Sequence, residues 1–94
     1  GGVMFTWKRE ATFGDAFRYG CHVGPWQVGN VSIAVVARGN PNKWAAHVSM
    51  PDMDAAVNFP TPEEAKQHVE KRVLYWFKQI PVTIMGAIMK ENNR

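Results

Sequence analysis

The sequence predicts an α+β domain: an antiparallel sheet of three or four strands, packed by one long C-terminal helix over about residues 61–80, with a short apolar tail of helical spacing after it. Three observations carry this. Apolar and polar residues alternate with period two through most of the first fifty positions, the pattern of half-buried strands. A capped segment with helical periodicity follows from Thr61. Turn-forming residues separate the periodic runs at Gly14-Asp15, Gly24-Pro25, Gly39-Asn40-Pro41 and Pro51-Asp52.

In chain order, Met4–Glu10 sets Phe5 and Trp7 against Thr6 and Lys8, a first strand. Phe17–Val23 places Phe17, Tyr19, Cys21 and Val23 on one side and Arg18, Gly20 and His22 on the other. Gly24-Pro25 breaks or bends the chain. Trp26–Arg38 reads as one long strand, apolar on both faces and so central, or bent at Gly29. The loop Arg38–Lys43 and a strand Trp44–Met50 complete an antiparallel hairpin, with Trp44, Ala46, Val48 and Met50 inward. Ala55, Val57 and Phe59 suggest a short edge segment ended by Pro60.

Thr61 is an N-cap, Pro62 takes the first helical position, and Glu64 completes a capping box. Ala65, Val69, Val73, Trp76, Phe77 and Ile80 form the buried stripe, while Glu63, Lys66, Gln67, Glu70, Lys71 and Lys78 face water. Pro81 stops the helix, because the residue before a proline is pushed out of the helical region. Residues 1–80 thus form the sheet-plus-helix domain. In 81–94, Ile84, Met85, Ile88 and Met89 make a stripe suited to docking or to a homodimer contact, the alternative being that it folds back onto the sheet.

Ninety-four residues allow one modest core. With 46% hydrophobic and 20% charged residues the chain is globular rather than disordered. A single cysteine, Cys21, excludes an internal disulfide and points to a reducing compartment. No apolar run reaches the roughly 20 residues of a spanning helix. Gly1-Gly2-Val3 reads as a remnant of expression ahead of Met4, and the expected location is the cytoplasm. The net charge of +3 is uneven. Residues 1–50 hold five Lys/Arg (Lys8, Arg9, Arg18, Arg38, Lys43) against Glu10 and Asp15, whereas residues 51–94 balance. The sheet half is therefore a footprint for an acidic partner, or simply a solvated surface.

Catalytic and metal signals are weak. Cys21, His22, His47 and His68 are zinc-ligand types but lack ligand spacing, and adjacent Cys21 and His22 point to opposite faces of a strand. Cys21 with His47 has the composition of a nucleophile and base, and Asp52 and Asp54 are paired loop carboxylates more typical of turns. No glycine run has a phosphate-cradling spacing. The expectation is a non-enzyme without metal or cofactor.

Binding is the better-supported class. Trp7-Lys8-Arg9 and Phe17-Arg18-Tyr19 interleave rings with cations, as nucleic-acid-binding sheets do and as any half-buried strand can. Trp26 and Trp44 flank the central hairpin, and Met85 and Met89 mark the tail. The candidate partner-binding residues are Trp7, Lys8, Arg9, Arg18, Tyr19, Trp26, Arg38, Lys43, Trp44, Met85 and Met89.

The strings Gly24-Pro25-Trp26-Gln27-Val28-Gly29-Asn30-Val31, Trp44-Ala45-Ala46-His47-Val48 with Pro51, and Phe59-Pro60-Thr61-Pro62-Glu63-Glu64-Ala65-Lys66 through Trp76 resemble small accessory proteins of bacteriophages and related mobile elements, mostly of unknown function. The β-β-β-α order also resembles double-stranded-RNA-binding-like and AP2-like domains. The basic helix start of the former is replaced by Glu63 and Glu64, which suit the helix dipole but repel phosphate. The phage resemblance implies a binding protein that contacts a host protein complex, as an inhibitor of defence or gene expression. The AP2-like likeness implies the alternative, a nucleic-acid module using the basic sheet face.

Overall fold

The computed structural model describes residues 3–51 and 56–92, with side chains in the helix followed as far as residue 79. Five strands form one antiparallel meander in the order β1 (Thr6–Ala11), β2 (Phe17–Val23), β3 (Trp26–Ile33), β4 (Trp44–Val48), β5 (Val57–Phe59). One helix, α1 (Pro62–Asn92), lies across a single face. The α+β layout is the one read from the sequence. The sheet is one strand larger, because the edge segment at Val57–Phe59 pairs with β4 through Trp44↔Phe59 and Ala46↔Val57.

The core is where alternation placed it. Cys21, Val28, Val31, Ala46 and Val48 of the sheet meet Ala65, Val69 and Val73 of α1, all buried. Around these small side chains stands a half-buried ring that includes Trp7, Tyr19, Trp44, Phe59 and Phe77. Burying one Val or Phe side chain contributes roughly 1.5–3 kcal/mol, so the large rings at the rim supply area that a valine core alone would lack.

Two local devices set the sheet. Gly24 holds φ 57° at the first central position of the two-residue turn between β2 and β3, so Gly24-Pro25 makes a tight hairpin rather than a mere break. Val28 is an extra residue in β3, since Cys21 pairs with Gly29 while His22 pairs with Gln27. This bulge lets Val28 join the core although it is out of step with Val31. Gly29 lies directly beneath α1: a Cβ there would sit 2.6 Å from the His47 carbonyl oxygen and 2.7 Å from Val69 Cγ1.

Three expectations are corrected. The long strand ends at Ile33, not Arg38. Its neighbours stop there: β2 begins at Phe17 and β4 at Trp44, and past Ile33 the pairing runs out after one bond, from Ala34 N–H to the Lys43 carbonyl at 2.7 Å. Lys66 and Glu70 do not face water. They flank the buried stripe on the β1–β2 side, where Lys66 Nζ lies 4.1 Å from the Tyr19 ring centre and Trp7 Nε1 donates to Glu70 Oε2 at 3.1 Å. Finally, Pro81 does not end the helix, which continues to Asn92. A proline removes one backbone hydrogen bond and bends a helix, but bonds on either side of it can carry the helix through. The predicted tail is therefore a continuation of α1.

Thr61 caps the helix as predicted, with Glu64 N–H donating to Thr61 Oγ1 at 3.2 Å; the return bond of a capping box, from Thr61 N–H to the Glu64 carboxylate, is not seen among the described residues. From Thr61 the helix runs from the Trp44–Phe59 end of the sheet towards the Trp26 end, as the Lys66–Tyr19 and Glu70–Trp7 contacts require. No described helix is long and apolar enough to cross a membrane.

Candidate binding surface at the loop end of the sheet

Pairing sorts the predicted site residues onto two faces. On the helix face lie Trp7 and Arg9 of β1, Tyr19 of β2 and Trp44 of β4. Their rings are engaged within the domain: Tyr19 stacks at 6.2 Å on Trp44 and edge-on at 5.5 Å to Phe17, and the Arg9 guanidinium lies 4.1 Å from the Phe17 ring centre. On the opposite face, which no described element covers, lie Lys8, Arg18, His22, Gln27, Asn30 and His47. The strand segments that interleaved rings and cations in sequence therefore separate them in space.

The uncovered face has its own polar cluster. Glu10 reaches across Gly20, where any side chain would collide with its carboxylate. It accepts from Gln27 Nε2 at 3.2 Å and stands 3.8 Å from Arg18 Nε. Arg18 Nε and His22 Nε2 are screened from solvent without a hydrogen-bond partner. Cys21 is on the helix face and His47 on the uncovered face, so the sheet itself lies between thiol and imidazole. Burial, then the charge of Glu70, pushes the Cys21 thiol from its ordinary 9.0 up to about 12, away from nucleophilic chemistry near neutral pH. His68 stacks on Phe59 at 5.1 Å, and burial, then Arg72 and Lys71, lowers its pKa. Among the described residues no group of three or more His, Cys, Asp or Glu is placed to hold a metal ion. Asp52 and Asp54 lie outside the described residues.

The two ends of the sheet differ. At the end formed by the β1–β2 and β3–β4 loops, Phe13, Ile33 and Val35 are exposed, Phe13 by 88%. Arg9, Arg18, Arg38 and Lys43 belong to the same end, with Glu10 and Asp15 among them. A shallow depression of about 360 Å³ opens there between Thr12, Asp15, Arg18, Asn30 and Ile33. The β3–β4 loop is held by its own bonds: Asn42 N–H donates to Asn40 Oδ1 at 2.9 Å, and Asn40 N–H to the Ala37 carbonyl at 3.0 Å. These ties present Val35 and Arg38 to solvent on a defined loop.

At the opposite end Trp26 is 68% exposed on the hairpin turn, and Met4, ahead of β1, is exposed as well. Met85 and Met89 lie in the far part of α1, outside the described side chains. Of the predicted residues, then, Arg9, Arg18, Arg38 and Lys43 share the loop end, with Arg9 on the helix face and Arg18 on the opposite one; Trp26 is at the other end; Trp7, Tyr19 and Trp44 support the helix.

Phe13, Ile33 and Val35 were not foreseen. Phe13 sits beside the Gly14-Asp15 turn, which is a signal for a hairpin tip. Ile33 and Val35 carried no signal of exposure, because they fell in an over-long strand that is apolar on both faces and so read as central. No known protein family, curated protein or solved structure matches the chain.

Proposed function

We propose that this protein is a non-enzymatic binding module that docks onto an acidic face of a partner protein through the loop end of its sheet. The observation that supports it is the exposure of Phe13, Ile33 and Val35 among Arg9, Arg18, Arg38 and Lys43. Exposed apolar side chains at an end that also carries cations suit a contact whose centre excludes water and whose charges steer an oppositely charged surface. In line with the phage-type resemblance, the partner is a protein of a host complex, inhibited by occlusion of the surface this end covers.

The same cations support a second reading, nucleic-acid binding. It is the weaker one, because Trp7, Tyr19 and Trp44 turn to the helix and leave no row of rings beside Lys8 and Arg18 for bases to stack on. Titrating duplex DNA and RNA against rising salt separates the two. The protein-binding reading expects weak association that vanishes at moderate salt. Tight binding with a steep salt slope, lost in Arg38→Ala and Lys43→Ala but kept in Val35→Asp, would assign the surface to nucleic acid instead.

A further inference from the structure

We propose that the outer edge of β5, with the adjoining turns of α1, takes up an extended peptide as a sixth strand. Among the described residues β5 is the last strand of the sheet and pairs only with β4. Ala34 N–H donates to the Lys43 carbonyl at 2.7 Å, and Ser49 N–H to the Val28 carbonyl at 2.9 Å. These bonds fix which β4 residues turn their backbone to β3: the odd-numbered ones, Ala45 and His47. By the alternation of antiparallel ladders, Trp44 and Ala46 turn theirs to β5 and bond to Phe59 and Val57. Asn58 therefore directs both its N–H and its carbonyl away from the sheet, a donor and acceptor set for one more strand.

The two sheet edges are not equivalent. β1 carries Lys8, Arg9 and Glu10, charges of the kind that discourage strand addition. β5 is short, three residues ahead of Pro60, but reads Val57-Asn58-Phe59 with no charge and no bulge, and Val57 is exposed. Beside it α1 forms a wall. A groove of about 320 Å³ runs between them, lined by Phe59, Glu64, Gln67, His68 and Lys71. The stacked Phe59 and His68 rings give it an apolar base, and the other three give it a polar wall. An edge strand with a helix alongside is the geometry in which backbone pairing supplies affinity and the groove receives alternate side chains of the guest. The ligand class is thus an extended polypeptide segment recognised mainly by its backbone. This groove is on the edge of the sheet away from β1 and does not depend on the basic loop end.

The test uses the full chain and a display library of random dodecapeptides. Selected peptides are synthesised and added while amide hydrogen exchange is followed. The expected result is that the Asn58 amide slows by at least about tenfold on binding. N-methylation of alternate peptide residues, which removes strand-pairing donors without touching the protein, is expected to abolish binding in one of the two registers. Failure to select any binder, binding without protection of Asn58, or binding indifferent to N-methylation in both registers would overturn the proposal. Protection of Asn58 that rises with protein concentration and needs no peptide would assign the edge to a second copy, and would overturn it equally.

Discussion

At the residue scale, close approach explains more of this molecule than charge does. Gly29 is the point at which helix and sheet touch, and the nearest neighbour of a Cβ there is a backbone oxygen that cannot rotate away. Gly29→Ala is expected to destabilise the fold by about 1–3 kcal/mol in urea unfolding, the usual cost of overpacking a tight core. His68 gives a pH dependence whose sign follows from its environment. Its folded pKa lies below the ordinary 6.5, so its contribution to stability is present above that value and is lost as pH falls through the folded pKa. Thermal midpoints measured from pH 7.5 downward should fall below about pH 6.5, and less steeply in His68→Gln. Cys21 has the opposite sign: a raised folded pKa leaves stability intact below 9.0 and withdraws it as pH climbs towards about 12. In the native state its thiol should resist alkylation near pH 8 and become reactive only on unfolding.

At the element scale, legibility in the sequence followed periodicity. The cap at Thr61, the stripe of Ala65, Val69 and Val73, and the inward set of β4 were readable because each repeats at the spacing of its element. The end of β3 was not readable, since strand length depends on where the neighbours stop and no local signal encodes that. Nor was the inward turn of Lys66 and Glu70, because a charged side chain beside an apolar stripe looks solvent-facing until a ring such as Tyr19 or Trp7 is found against it. The candidate site was half visible: the cations were named, but Ile33 and Val35 were hidden by the strand that ran too long, and Phe13, beside the Gly14-Asp15 turn, was passed over as part of a loop. Pro81 was read by its local rule and the helix overrides that rule. Pro81→Ala restores a backbone donor inside α1 and should stabilise the protein by up to about 3 kcal/mol, with more helical signal in circular dichroism. Thr61→Ala should cost about 1 kcal/mol, read in the same unfolding assay.

At the scale of the whole molecule, the helix acts as a support behind the sheet. It consumes the aromatic residues of β1, β2 and β4 and leaves the loop end as the place for the proposed binding surface. The most direct measurement is site-specific photo-crosslinking in a bacterial lysate, with a photoreactive residue placed in turn at positions 13, 35, 26 and 75, all exposed. The account predicts one predominant protein adduct from positions 13 and 35, weakened by added salt and absent from 75. Adducts of equal yield from all four positions, or none from 13 and 35 while 26 captures a partner, would contradict it.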